Sequence, residues 1–97
     1  MFSPPCALNQ PMPEISRFLG IVIKMFFDDH DPPHFHAEYG GESARVDIQR
    51  IAVFSGRLPP RVVGLVIEWA TLHQAELMAN WKLARANKPL RKIAPLE

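Results

Sequence analysis

Ten prolines divide this chain more firmly than any other feature. They fall in groups: Pro4, Pro5, Pro11 and Pro13; Pro32 and Pro33; Pro59 and Pro60; Pro89 and Pro95. Proline has no amide hydrogen and a fixed φ, so inside a helix or a central strand it costs a hydrogen bond. The groups therefore act as punctuation. The intervals between them predict two strand-like regions and then one long helix-like region.

In the first interval, Ile15 to Phe27 is rich in β-formers, with Gly20 as a bulge or bend. Ile21, Ile23 and Met25 share one face and Val22, Lys24 and Phe26 the other, a pattern suited to a central strand. After the Pro32-Pro33 loop, a short strand is expected around Phe35 to Tyr39, closed by Gly40-Gly41, a two-residue hairpin turn in which both positions favour positive φ. Ala44, Val46 and Ile48 alternate with Arg45, Asp47 and Gln49, which predicts a half-buried strand. Ile51 to Phe54 forms a possible fourth strand, ended by Ser55-Gly56.

Pro59-Pro60 opens the helical half, since proline fits a helix's first turn. Val62, Leu65, Val66, Trp69, Leu72 and His73 lie on one helical stripe that continues through Leu77, Trp81 and Ala84. One straight helix over 60–86 would be about 40 Å long, against about 26–30 Å for a globule of this size. A break is therefore expected near 71–74, where Thr71-Leu-His-Gln74 has the form of a capping box. Asn87 ends the second helix. Leu90, Ile93 and Leu96 of the following tail are placed to pack back onto the sheet. The expected fold is α+β: a small antiparallel meander of three to four strands, two helices packed on one face, and an extended C-terminal tail. Residues 1–11 read as a flexible N-terminal extension, with Met12 as an alternative start, and residues 12–97 as a single domain.

At 97 residues, 47% hydrophobic and with a net charge of +1, the chain has the composition of one small core and not of a disordered segment. The lone Cys6 excludes an intrachain disulfide framework and any cysteine-based zinc cage. With no signal-peptide pattern at the N-terminus, the cytoplasm is the expected compartment. No run approaches the roughly 20 apolar residues of a membrane span, so no membrane is expected as a partner. The neutral average hides a split. Phe26 to Asp47 holds six acids against one base, and Trp81 to Glu97 five bases against one acid. A basic end of this kind suits either solvent and the helix dipole or a phosphate or acidic partner.

Three of the four histidines, His30, His34 and His36, lie within seven residues, beside Asp28, Asp29 and Asp31. Imidazole changes charge near neutral pH and ligates metals, so three readings of the loop are open. In one, His34 and His36 project to the same side of a strand and bind zinc, with His30 or an aspartate folding back as the third ligand. In another, His34 and His36 act as acid and base in metal-independent RNA cleavage, in which RNA supplies its own 2′-hydroxyl as nucleophile. Arg45, across the hairpin, would hold the phosphate, and Tyr39 would stack on a base or donate a hydrogen bond. In the third, the aspartates and histidines simply bond to backbone in an ordered turn. Trp69 and Trp81 read as core or as partner-interface aromatics. No serine-hydrolase elbow and no phosphate-binding glycine loop is present.

Several segments together resemble one bacterial family, the domain-of-unknown-function family numbered 4160. They are Met12-Pro-Glu-Ile-Ser-Arg-Phe18, Gly20-Ile-Val-Ile23, Asp29-His-Asp-Pro-Pro-His-Phe-His-Ala-Glu-Tyr-Gly40, Leu58-Pro59 through Glu68-Trp69, His73, Asn80-Trp81 and Lys88-Pro-Leu-Arg-Lys-Ile-Ala-Pro-Leu96. The resemblance covers residues 12–96 and carries no catalytic residue with it. It implies a place beside a second small protein, as the toxin half of a toxin–antitoxin pair. The expected function is accordingly a toxin-like component that binds the neighbouring gene's product. If it is catalytic, it is an RNA-cleaving enzyme that needs no cofactor. The alternatives are a non-catalytic binding or regulatory module that uses Trp69 and Trp81, and a metal-dependent hydrolase that uses His30, His34 and His36.

Overall fold

The computed structural model describes residues 13–27 and 29–97. The expected N-terminal extension and the start at Met12 lie outside the described residues. Five antiparallel strands run in chain order as a meander: β1 (Glu14–Phe18), β2 (Ile21–Lys24), β3 (His34–Tyr39), β4 (Glu42–Asp47) and β5 (Ala52–Gly56). Two helices follow, α1 (Pro60–Leu72) and α2 (Gln74–Arg85). No helix is long and apolar enough to cross a membrane, among the described residues.

Among the described residues the sheet has five strands where three to four were expected, because the Ile15–Phe27 region is a hairpin and not one bent strand. Leu19 (φ 52°) and Gly20 (φ 81°) make a two-residue turn with both φ positive, the geometry that matches the twist of the flanking strands. Leucine pays a steric cost there, so the residue pair gives no turn signal. Gly40 (φ 56°) and Gly41 (φ 84°) make the same kind of turn between β3 and β4, as their sequence predicts.

Period-two alternation divides the sheet into two faces. Ile21, Ile23, Phe35, Ala37, Ala44 and Val46 are buried on one of them. Cross-strand pairing sets Ile23 beside Ala37, Ala37 beside Ala44, and Phe35 beside Val46. The helices cover this face through Val62, Val66, Trp69, Leu77 and Ala84, which join the same buried cluster. Trp69 lies tilted against Phe18 at 5.4 Å and meets Phe35 edge-on at 5.7 Å. Leu72, on the sequence stripe, is instead 67% exposed, because α1 ends there.

The helix break falls at His73, inside the expected window, but no capping box forms. Neither helix has a side-chain cap hydrogen bond at its N-terminus. Thr71 Oγ1 donates back to the Ile67 carbonyl, and the Gln74 amide donates to the carbonyls of Ile48 and Gln49, tying the break to the turn after β4. Residues 88–97 run without helix or strand. The Ile93 amide donates to the Ile15 carbonyl on β1, and the indole of Trp69 donates to the Ala94 carbonyl, so Ile93 is buried against the core.

Candidate functional site

The loop from Asp29 to Pro33 and the start of β3 form one end of the sheet, opposite the Tyr39–Gly40 tip. Its position is fixed from both sides. The Ile48 amide donates to the Pro33 carbonyl at 3.0 Å, and the buried Asp47 accepts the amides of Gln49 and Arg50, which shapes the turn that supplies Ile48. On the helical side, Arg85 of α2 reaches Asp31 at 3.2 Å. The Asp31–Pro32 peptide is cis.

His34 and His36 lie two residues apart on β3, so their rings emerge on the same face, with centroids 5.2 Å apart. Asp29 folds back between them. Its Oδ2 lies 3.0 Å from His36 Nε2 and 3.1 Å from His34 Nε2. One ligand atom from each of Asp29, His34 and His36 lies within 4.8 Å of the other two. His36 Nε2 is hydrogen-bonded to the carboxylate. The other contact does not have the geometry of a hydrogen bond: among the described residues, buried His34 Nε2 has no hydrogen-bond partner, despite the short distance. The opposite nitrogen of His34, Nδ1, lies 2.7 Å from the Pro32 carbonyl. A carbonyl only accepts, so Nδ1 carries a hydrogen.

Aromatic rings wall the cluster. Trp81 and Phe54 lie 5.3 and 5.5 Å from the His34 ring, and Phe26 meets His36 edge-on at 4.6 Å. A bulge places Phe54: Arg45 pairs with Ser55 and Val46 with Val53, which leaves Phe54 as the extra residue. Burial in this wall holds the His36 ring below the ordinary imidazole range, and outweighs the opposing pull of Asp29. Burial also pushes the Asp29 carboxyl up, but the hydrogen bond from His36 and the two nearby rings outweigh it, and the net direction is down.

Of the expected site residues, His34, His36 and Arg45 come together, with Arg45 directly across from His36 in the β3–β4 register. His34 is only 3% exposed, so it cannot exchange protons with a substrate at the surface, and the acid–base pairing of the two histidines is not supported by this geometry. Tyr39 lies at the far end of β3 by the hairpin tip, on the opposite side of the pleat, and its ring abuts Gly20. His30 is exposed and stands outside the cluster; the aspartate alternative fills the third position, as Asp29. Trp69 and Trp81 are 0% and 4% exposed, so they are core residues and not an interface. His73, at the helix break, pairs with Glu76. Sequence reasoning missed Phe26 and Phe54 as walls of the site. Only the fold brings them there, through the bulge and the strand ends.

A family model described as Domain of unknown function (DUF4160) matches residues 20–82, a span that contains the whole cluster. No curated protein and no solved structure matches the chain.

Proposed function

Since the chain belongs to this domain-of-unknown-function family, defined by sequence and not by an activity, we propose from its own site that it is the toxin-like component of a two-protein module, acting on RNA at the Asp29–His34–His36 end of the sheet. The observation that carries this reading is Arg45. It is exposed and stands across from His36 on the neighbouring strand, so a guanidinium lies beside the cluster. A guanidinium binds two phosphate oxygens at once, which would fix the scissile phosphate against the cluster. Phe54, 46% exposed on the adjoining strand, offers a stacking surface for an unpaired base. In the reaction, the 2′-hydroxyl attacks the neighbouring phosphorus and gives its proton to the cluster, the bond from phosphorus to the 5′-oxygen breaks, and the cluster returns the proton to that oxygen. The products are a 2′,3′-cyclic phosphate and a free 5′-hydroxyl.

The purified full chain should cleave a single-stranded RNA to products ending in cyclic phosphate. Arg45→Ala should lower the rate roughly 10–100-fold, the equivalent of a charge-assisted hydrogen bond of about 1.5–3 kcal/mol, with the fold intact. Absence of cleavage above a buffer control, or an Arg45→Ala rate equal to wild type, would refute the reading.

A second reading has its own observation. Between α2 and the C-terminal segment runs a groove lined by Ala79, Leu83 and Ile93, with Lys82, Arg91 and Lys92 around it against the single acid Glu76. Its chemistry fits an acidic segment with apolar anchors on the partner protein. Charge reversal with Lys82→Glu and Arg91→Glu should abolish co-purification of the neighbouring gene's product, and retained co-purification would exclude the groove.

A further inference from the structure

The cluster leaves one buried polar atom, His34 Nε2, without a hydrogen-bond partner among the described residues. With Nδ1–H of His34 committed to the Pro32 carbonyl, the neutral ring leaves Nε2 as a bare acceptor, and the Asp29 carboxylate stands 3.1 Å from it, off the axis of its lone pair. Two acceptors in contact repel each other, and the cost is high where water is excluded. A second proton on Nε2 would turn the contact into an ion pair with Asp29, but would still leave that N–H without a well-aligned acceptor. The hydrogen of a ring N–H points along a fixed direction, and Oδ2 lies off it, which is why the contact fails as a hydrogen bond. A positive ion placed off the Nε2–Oδ2 line, at the apex above the three donor atoms, would satisfy them all.

We infer that Asp29, His34 and His36 form a binding site for one divalent transition-metal ion of the zinc class, ligated by His34 Nε2, His36 Nε2 and a carboxylate oxygen of Asp29. The spacing fits. Zinc–nitrogen and zinc–oxygen bonds of about 2.0–2.2 Å in a tetrahedron put neighbouring ligand atoms about 3.3 Å apart. The two distances from Oδ2, 3.0 and 3.1 Å, need to widen by only a few tenths of an ångström. The Pro32 carbonyl plays the part expected of an outer-shell acceptor, fixing the His34 tautomer so that Nε2 is the ligating atom. Two imidazoles with one carboxylate favour zinc, iron(II), cobalt(II) or nickel(II) over magnesium or calcium, which prefer all-oxygen sets. Three protein ligands leave at least one position on the ion for water or substrate. His34 is sealed at 3% exposure, while the Asp29 and His36 side chains remain 24% and 18% exposed, so that position opens on their side, towards Arg45.

This inference goes beyond the RNA reading and does not depend on it. The untagged full chain, stripped with a chelator, is titrated with zinc against a chromophoric competitor, with magnesium as control. One zinc per chain is expected, with no competing effect of magnesium at equal concentration. His36→Gln and Asp29→Asn should each weaken zinc at least 100-fold, since even an outer-shell partner is worth up to about that much. His30→Ala and Cys6→Ser should leave it unchanged. Both ligand variants sit at partly exposed positions, and circular dichroism reports their folding. Wild-type protein that binds no zinc overturns the inference whatever the variants do, as does zinc binding that neither ligand variant weakens. Zinc binding without RNA cleavage would remove the RNA reading and leave the metal site standing. Cleavage by protein that binds no zinc would do the reverse.

Discussion

Replacing Asn80 with alanine probes how the last ten residues are held to the domain. Asn80 is 1% exposed on α2, and its amide pairs with the backbone of Arg91 as a neighbouring strand would. Nδ2 donates to the Arg91 carbonyl at 2.8 Å, and Oδ1 accepts the Arg91 amide at 2.9 Å. Each such bond is worth about 0.5–1.5 kcal/mol net, so removing both costs about 2 kcal/mol. The segment does not detach altogether, because the Ile93 amide and the Trp69 indole hold it independently. For a domain of this length, about 2 kcal/mol corresponds to a fall in Tm of roughly 10 °C. Urea unfolding followed by fluorescence measures the loss, and hydrogen exchange at the Ile93 amide localises it, since that amide should lose protection first. Asn80→Asp keeps the acceptor for Arg91, loses the donor and buries a carboxylate, so it should cost at least as much at neutral pH. A loss below about 0.5 kcal/mol in Asn80→Ala, with Ile93 protection unchanged, would refute the reasoning.

Gly56→Ala should destabilise by about 3 kcal/mol in the same urea assay. A Cβ there would lie 2.3 Å from the Ser43 carbonyl oxygen, at a φ of +79°, and the obstacle is rigid backbone. Trp81→Ala should cost about 3–5 kcal/mol, because the ring is a core element between His34 and Arg85. A Trp81 variant that kept its stability and lost only partner binding would restore the interface reading.

Where local chemistry decided the structure, the sequence was legible. Gly40-Gly41 announced its turn, the alternation of Ala44, Val46 and Ile48 announced β4, and Pro59-Pro60 announced α1. Where a residue acts against its own preference, it was not. Leu19 takes a positive φ at a steric cost, so the first hairpin read as one bent strand. Thr71 and Gln74 have the spacing of a capping box, but Gln74 finds the carbonyls of Ile48 and Gln49 instead, partners about 25 residues away that no local pattern reveals. At the site, period two put His34 and His36 on one side correctly. Which acid joined them depended on the path of the Pro32-Pro33 loop. Burial depended on the arrival of Phe54 and Trp81 from distant elements, and that is what separates a sealed His34 from a surface acid or base.

The most direct test of the account is X-ray absorption at the zinc edge on the one-to-one complex of the full chain. Two imidazole nitrogens and light oxygen donors at about 2.0–2.2 Å are expected, with imidazole scattering lost by half in His36→Gln. A third imidazole, which would bring in His30, or a sulfur ligand from Cys6, would contradict the assignment of the centre to Asp29, His34 and His36.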